Sequence, residues 1–300
     1  MYYIVYGLLY AVSLLPLWLL YGIGDLIRVL LFRVFGYRRN VVRGNLAIAF
    51  PEKSAAEREK IRSDFEHQFV DTFIETIKLF SAGKGFIMNR VTGNFHVLNE
   101  LYNGGLVRAQ VHMGHNFNWE MLNLAYPYYF RYTLLAVYMP LQNKVMNRVF
   151  LKLRSRTGNV MLPATDMRKA MLPHRSSHFL VGLVADQVPG NMDKAWWLNF
   201  FGVPTPFVSG PEKGAAAGNL PVIFAHAYRV RRGHYYLYLE VASEAPHDLP
   251  KGTLTRQYRD FLERVMRENP GGWLWSHRRW KKKWDSAYTA QWIDNTPPPL

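Results

Sequence analysis

The first 24 residues, Met1 to Gly24, carry no charge, and Tyr2, Tyr3, Tyr6, Tyr10, Trp18 and Tyr21 are spread among their aliphatic positions. As one helix they would rise about 36 Å at 1.5 Å per residue, against a hydrocarbon core of roughly 30 Å. The pattern therefore permits a membrane span. It also suits a helix lying in the membrane plane or one buried in a core, and Pro16 kinks the segment in all three. Arg28, Arg33, Arg38, Arg39 and Arg43 follow the apolar run instead of preceding it, which does not fit a cleaved signal peptide. If the segment inserts, that flank keeps the rest of the chain on the cytoplasmic side.

Further on, Ser54 and Glu57 form a capping box, and Ile61, Phe65, Phe69, Phe73, Ile77 and Phe80 recur at three- and four-residue steps. This predicts an amphipathic helix whose aromatic stripe packs into a core. From residue 106 the pattern changes to short apolar runs. Leu106 to Val111, Thr133 to Tyr138, Phe179 to Ala185, Leu220 to Ala225 and Tyr235 to Val241 read as strands. Lys144 to Thr157, Met167 to Leu172 and Thr253 to Glu268 read as helices between or after them. The alternation predicts an α/β fold, a mixed sheet flanked by helices, with the last stretch through Leu300 as an extended or frayed tail.

The composition, 49% hydrophobic and 20% charged over 300 residues, is that of a globular chain with a sizeable core. Lys and Arg outnumber Asp and Glu by 37 to 22, a net +15, which calls for an anionic partner without choosing among lipid, nucleic acid and acidic protein. The absence of cysteine excludes disulfides, thiolate metal sites and cysteine nucleophiles. Aromatic residues at 15% favour an interfacial environment.

Ligands of α/β sheets collect at the carboxyl ends of strands, and two such ends are polar. One runs Val111-His112-Met113-Gly114-His115-Asn116-Phe117-Asn118-Trp119-Glu120. His115 and Glu120 can meet only if His115 lies in the turn at Gly114 and Glu120 in the first turn of a following helix. Such a pair would act as general base and orienting carboxylate. Histidines merely satisfied beside a strand end, or a metal site of His112, His115 and Glu120, are the competing readings, although the spacing is not that of a zinc peptidase motif. The other end is Ala185-Asp186-Gln187, where Asp186 either orients a basic residue or caps the next segment. Gly-x-Ser-x-Gly, Walker-type and dinucleotide motifs are all missing from the sequence.

Asn45-Leu46, Phe50-Pro51-Glu52, Gly114-His115 with Asn118-Trp119-Glu120, Ala185-Asp186-Gln187, Phe200-Phe201-Gly202, Leu220-Pro221-Val222 and Trp273-Leu274-Trp275-Ser276-His277-Arg278-Arg279-Trp280-Lys281 occur in this order. Together they resemble the bacterial late acyltransferases of lipid A assembly, within the lysophospholipid acyltransferase superfamily, over about Tyr3 to Trp284. Phe117 stands where members usually have Gly. The resemblance implies acyl transfer from acyl carrier protein, acyl-CoA or another acyl thioester to a hydroxyl of a glycolipid, with His115 as general base and Glu120 as its partner. Another lipid acceptor, or a non-catalytic basic membrane-binding protein, is the alternative.

It also implies a membrane-anchoring helix over residues 1–35, a catalytic domain over 36–300, a place on the cytoplasmic face of the inner membrane, and no metal or cofactor. Arg154 and Arg156 stand where the superfamily has an Arg-bearing block, as phosphate ligands or an ordinary solvated helix end. Asp186, Gln187, Arg278 and Arg279 complete the expected substrate contacts. The basic aromatic run His277 to Trp284 fits an anionic membrane or an acidic carrier protein better than nucleic acid, with a merely solvated face as the remaining reading.

Overall fold

Pro16 splits the uncharged amino-terminal run into helices α1 (Tyr2–Ser13) and α2 (Leu17–Arg28), and α2 continues as a π-helical turn, Val29–Val34. The two parts bend by 110°, so the expected continuous 24-residue helix does not form. Among the described residues no single helix is long and apolar enough to cross a membrane, although the bent pair together has the length and composition for it. The computed structural model describes residues 1–299, without the side chain of Arg168.

After α3 (Arg39–Ala49), the capping box opens α4 (Ala55–Lys78), with Ser54 Oγ accepting from the Glu57 backbone and Glu57 Oε2 accepting from Ser54 N–H. Ile61 and Phe65 are buried as the stripe predicts, whereas Phe73 is exposed. The same helix buries Arg62, Glu66, Asp71, Thr72 and Glu75, a polar seam that hydrophobic periodicity does not reveal. Arg62 pairs with Glu66, and Asp71 takes Arg229 and Arg232. Helix α2 docks on this seam. Leu20 and Phe32 enter the core, Gly24 lies against Ile74, and Tyr21 Oη donates to Glu75 at 2.8 Å.

Short elements α5 (Lys84–Met88), β1 (Val91–Gly93) and α6 (His96–Asn103) lead into the α/β region. There β2 (Arg108–Met113), α7 (Trp119–Tyr129), β3 (Thr133–Tyr138), α8 (Lys144–Arg154), β4 (Val160–Pro163), α9 (Met167–Ala170) and β5 (Phe179–Val184) alternate. A hairpin of β6 (Ala195–Phe200) and β7 (Val203–Val208), helix α10 (Gly210–Gly218), a second hairpin of β8 (Val222–Arg231) and β9 (His234–Ser243), and α11 (Thr253–Glu268) follow. Among the described residues the main sheet has seven strands in the order β1-β9-β8-β2-β5-β3-β4, parallel except between β8 and β9. It is the expected mixed α/β sheet.

Leu98 of α6 and Tyr126 of α7 pack on one face with Val111, Leu180 and Ile223, while Tyr258, Phe261 and Leu262 of α11 cover the other with Val222 and Phe224. Strands β2 and β5 lie side by side at the centre, with Met113 level with Val184, and this brings the two polar strand ends together.

The carboxyl-terminal stretch is not a frayed tail within the described residues. Trp197 of β6 stacks on Tyr288 at 5.2 Å, Ile293 N–H donates to the Trp197 carbonyl, and Asp294 accepts from Asn199 N–H and pairs with Arg259. Aromatic area on the outer face of the small hairpin recruits the tail. The loop after α11 crosses over the end of β2 and is tied from below, with the buried Asn45 amide donating to the carbonyls of Trp275 and His277 at 2.7 Å each. Replacing a buried donor that serves two carbonyls strands both, at about 1 to 3 kcal/mol. Asn45→Leu is therefore expected to lower unfolding stability by about that amount in urea titrations, and a change below a few tenths would show that water takes the amide's place.

Candidate active site

Strand β2 ends at Met113, whose carbonyl accepts from Tyr258 Oη at 2.6 Å, and the chain turns at Gly114. A Cβ on Gly114 would stand 3.2 Å from Asp186 Oδ2 and 3.1 Å from Leu262, so the turn sits too close to the carboxylate for a larger residue to enter freely. That closeness lets the His115 backbone N–H donate to Asp186 Oδ2 at 2.8 Å while His115 Nδ1 lies 2.5 Å from Oδ1. Trp273, from the loop that crosses above, donates its indole N–H to Oδ2 at 2.6 Å. The loop is fixed to the turn by the Asn116–Trp273 bridge and by Phe117 N–H donating to the Gly272 carbonyl.

The partner of the His115 imidazole is thus Asp186, at the end of the neighbouring strand, and not Glu120. Glu120 lies in the first turn of α7, as its spacing predicts, but its carboxylate accepts from Arg154 Nε at 3.0 Å on both oxygens and from the Trp119 indole at 3.1 Å. The geometric reason is simple. Asn118 caps α7 by accepting from Met121 N–H, which turns Glu120 toward the end of α8, where Arg154 is.

Asp186 is 1% exposed. Burial opposes its ionisation, but the His115 charge, its hydrogen bonds and the Trp273 N–H outweigh that and hold the carboxyl below its usual range. Burial likewise opposes charge on His115, and Asp186 overcomes it, raising the imidazole above its ordinary value of 6.5. An ionised Asp186 fixes the proton on Nδ1 and leaves the Nε2 lone pair facing the Gln187 amide, 3.1 Å away. His115 keeps a quarter of its side chain exposed, enough for a substrate atom to reach that nitrogen.

The other residues expected at the site divide. Asp186 and Gln187 join His115. Arg156 instead donates to the carbonyls of Leu79, Phe80 and Ala82, closing the carboxyl end of α4, so its guanidinium is committed to backbone and is not free for phosphate. Arg278 is exposed. Its neighbour Arg279 is fully buried between Phe200 and Phe207, which removes it from the surface on which a carrier protein would dock. His112 points into the core, 2.8 Å from the Gln110 amide, and burial pushes it down to about 3. Among the described residues no group of three or more His, Asp or Glu is placed to hold a metal ion, so His112, His115 and Glu120 do not form one.

Sequence reasoning missed a deeper carboxylate. Glu75 of α4 is buried and accepts from Asn118 Nδ2 at 2.8 Å, Tyr235 Oη at 2.7 Å and Tyr21 Oη at 2.8 Å, and burial raises its carboxyl. Its one sequence signal is an acidic residue between Ile74 and Ile77, on a stretch that otherwise packs inward.

A partly exposed imidazole held by a buried carboxylate at adjoining strand ends of an α/β sheet has the geometry to take up and return a proton. The family model described as bacterial lipid A biosynthesis acyltransferase matches residues 1–282, and the chain belongs to that family of membrane-associated acyltransferases, which take an acyl donor and a lipid acceptor. Comparison with curated proteins finds no match.

The raised His115 imidazole sets a pH expectation. For His115 to serve as a base it must be neutral, so in that role the acid limb of kcat/KM should fall above pH 6.5 in the unmodified protein. In Asp186→Asn the charge that raises His115 is gone while burial remains, so the limb should move below that value as the rate drops roughly 10²- to 10⁴-fold. An unmoved limb in a folded Asp186→Asn protein would refute the pairing. For stability the signs differ. The His115 contribution is complete below its unfolded pKa and is lost as pH rises through the higher folded one, while that of Asp186 is complete above its unfolded pKa and is lost as pH falls through the lower folded one. The pair therefore stabilises most between the two ordinary values, and thermal melts of the protein and of Asp186→Asn should differ most there.

Proposed function

We propose that the chain is an O-acyltransferase that moves a fatty acyl group from acyl carrier protein, or another acyl thioester, to a hydroxyl of a lipid A precursor. The observation that carries this reading is the His115–Asp186 pair, with Nδ1 held at 2.5 Å and Nε2 left for a substrate hydroxyl. In the reaction the acceptor hydroxyl takes the place of the Gln187 amide at Nε2 and gives up its proton there. The freed oxygen attacks the thioester carbonyl, the carbon–sulfur bond breaks, and the departing thiolate collects the proton from the His115 imidazolium. Asp186 stabilises that imidazolium without taking its proton. Glu120 acts at one remove, as a positioning residue. It orients Arg154, a partly exposed cation that we assign to the developing oxyanion, together with the Trp119 ring that lies edge-on to His115 at 6.2 Å.

We further assign the enzyme to the cytoplasmic face of the bacterial inner membrane, with α1 and α2 lying in the membrane plane. Tyr3, Ile4, Leu8, Leu14, Trp18, Leu26, Val34 and Phe35 are exposed, and the exposed Arg33, Arg38 and Arg43 lie beside the end of that run for anionic headgroups. The carrier protein would meet the exposed Arg278, Lys281, Lys282 and Lys283.

Single-turnover acyl transfer by folded variants tests the chemistry. His115→Ala should lower the rate roughly 10²- to 10⁴-fold. Glu120→Gln should lower it less and leave the acid limb of the pH profile in place. A folded His115→Ala protein at a near-normal rate would overturn the mechanism. Turnover with acyl carrier protein should weaken as salt rises, because exposed charges are screened beyond about 8 to 10 Å at 0.1 to 0.15 M.

Truncation through Gly24 would uncover the core that Leu20 fills, so the anchor is better tested on its outer face. The double variant Leu8→Glu with Trp18→Glu should lose at least about tenfold in cosedimentation with anionic vesicles, since each exposed apolar side chain that enters lipid is worth about 1.5 to 3 kcal/mol. Undiminished binding would refute the in-plane anchor.

A further inference from the structure

Glu75, near the carboxyl end of α4, is 1% exposed and makes no contact with the His115–Asp186 pair, yet side chains from three other parts of the chain donate to it. Tyr21 Oη of α2 reaches Oε1 at 2.8 Å. Tyr235 Oη of β9 and Asn118 Nδ2, at the head of α7, reach Oε2 at 2.7 and 2.8 Å. The three donors are not equivalent. A tyrosine hydroxyl can turn and accept instead, whereas an amide nitrogen only donates.

The Asn118 side chain is fully buried, and both ends of its amide are used. Its Oδ1 accepts from Met121 N–H at 3.3 Å, the bond that caps α7, and its Nδ2 then has Glu75 Oε2 as its one partner among the described residues. Turning the amide over would set N–H against N–H at Met121 and oxygen against oxygen at Glu75, two losses at once. Glu75 therefore selects the amide orientation that caps the helix. The selection holds in either protonation state of the carboxyl, which burial and the Asp71 charge raise. A proton on Oε1 is taken by the Tyr21 hydroxyl turning to accept, and Oε2 remains an acceptor.

The cap leads on to the site. Glu120, two residues after Asn118, lies in the first turn of α7, and its carboxylate accepts from Arg154 Nε at 3.0 Å on both oxygens. Arg154 is the last residue of α8 and keeps 21% of its side chain exposed. Loss of the cap leaves the first turn of α7 free to fray, and Glu120 is the side chain of that turn on which the direction of the guanidinium depends.

We propose that Glu75 is a positioning residue for acyl transfer: through Asn118 it fixes the first turn of α7, and so holds the Glu120–Arg154 pair in the orientation that meets the developing oxyanion. The assignment rests on the acyltransferase reading for the role of Arg154, and on the hydrogen bonds alone for the hold of Glu75 on α7.

Two readouts on the full chain separate those parts. Glu75→Met removes the acceptor, while Glu75→Gln keeps an oxygen for Asn118 and turns its amide nitrogen to the Tyr21 hydroxyl. Hydrogen exchange at the Met121 amide should quicken roughly fivefold to tenfold in Glu75→Met, the factor that a lost helix cap is worth, and return toward normal in Glu75→Gln. In acyl transfer per folded molecule, kcat should fall by a similar factor in Glu75→Met, with both KM values and the acid limb of the pH profile in place, and Glu75→Gln should recover most of it. In an Arg154→Gln background Glu75→Met should cost no further rate, because the group it positions is gone.

A second pair of variants serves where Glu75→Met does not fold. Asn118→Asp keeps the cap but sets a carboxylate against Glu75 Oε2, so only the form in which the two carboxyls share one proton fits. Its kcat should gain a new limb, falling as pH rises, and adding Glu75→Gln, whose amide nitrogen can donate across the pair, should remove that limb. Unchanged Met121 exchange in Glu75→Met, a fall in kcat that adds in full to that of Arg154→Gln, or an Asn118→Asp profile without the new limb would overturn the positioning role. Lower stability with kcat per folded molecule unchanged would refute it as well, leaving Glu75 a purely structural group. An unmodified protein that transfers no acyl group would remove the link to the reaction together with the acyltransferase reading, and the exchange result would still decide whether Glu75 holds α7.

Discussion

One buried carboxylate organises the end of the molecule where β2 and β5 stop. Asp186 has almost no contact with solvent, and an isolated ion there would be prohibitively costly, yet it draws together the backbone N–H and imidazole of His115 from one segment and the Trp273 indole from another. Each donor is needed for the charge to remain, and each segment is positioned by the charge. The turn after β2, the end of β5 and the loop after α11 are therefore mutually dependent. The small residue at Gly114 belongs to the same constraint, because the turn approaches the carboxylate closely enough for its own N–H to reach.

The frame of the fold is legible in the residues. Strand β3 and helix α11 occupy the ranges that periodicity predicts, and the Ser54–Glu57 box opens α4 where it should. Alternation of apolar runs and amphipathic segments is a local property, and local properties survive in sequence. The edge strands β1 and β4 are too short for a pattern, and the β6–β7 hairpin carries prolines at 204 and 206 that mask it. The site is legible in its parts and not in its pairing. Both polar strand ends stand out, but sequence spacing ties His115 to Glu120, five residues away, whereas strand order ties it to Asp186, 71 residues away. Only the adjacency of β2 and β5 decides between them. The burial of Arg279 beside the exposed Arg278 is invisible for a similar reason, since Phe200 and Phe207, which enclose it, come from the separate hairpin.

A second set of buried charges lies along α4. Asp71 holds Arg229 and Arg232 near the tip of the β8–β9 hairpin, and Arg232 reaches on to Asp25 of α2 with its guanidinium over the Tyr21 ring at 4.1 Å. Glu75 gathers Tyr21 of α2, Tyr235 of β9 and Asn118 at the head of α7. Apolar packing of α2 on α4 would have cost less desolvation and is in general at least as stable. What the polar arrangement adds is direction. A carboxylate with three defined donors fixes rotation and register where an aliphatic contact would tolerate sliding.

The two carboxylate centres are linked through a few covalent bonds. Glu75 fixes Asn118, Asn118 caps α7 and so aims Glu120 at Arg154, and three residues before Asn118 stands His115 on Asp186. Tyr21 belongs to the first of these centres and lies in the segment whose outer face carries Trp18 and Leu26. Any displacement of α2 must either break the Tyr21–Glu75 hydrogen bond, leaving a buried carboxylate short of a donor, or carry Glu75 and Asn118 with it. The first course is opposed by the burial that already raises the Glu75 carboxyl, so rigid attachment is the cheaper response. The amino-terminal helices and the His115 turn consequently keep a fixed mutual geometry, which is what the proposed transfer to a hydroxyl of an interfacial lipid would require.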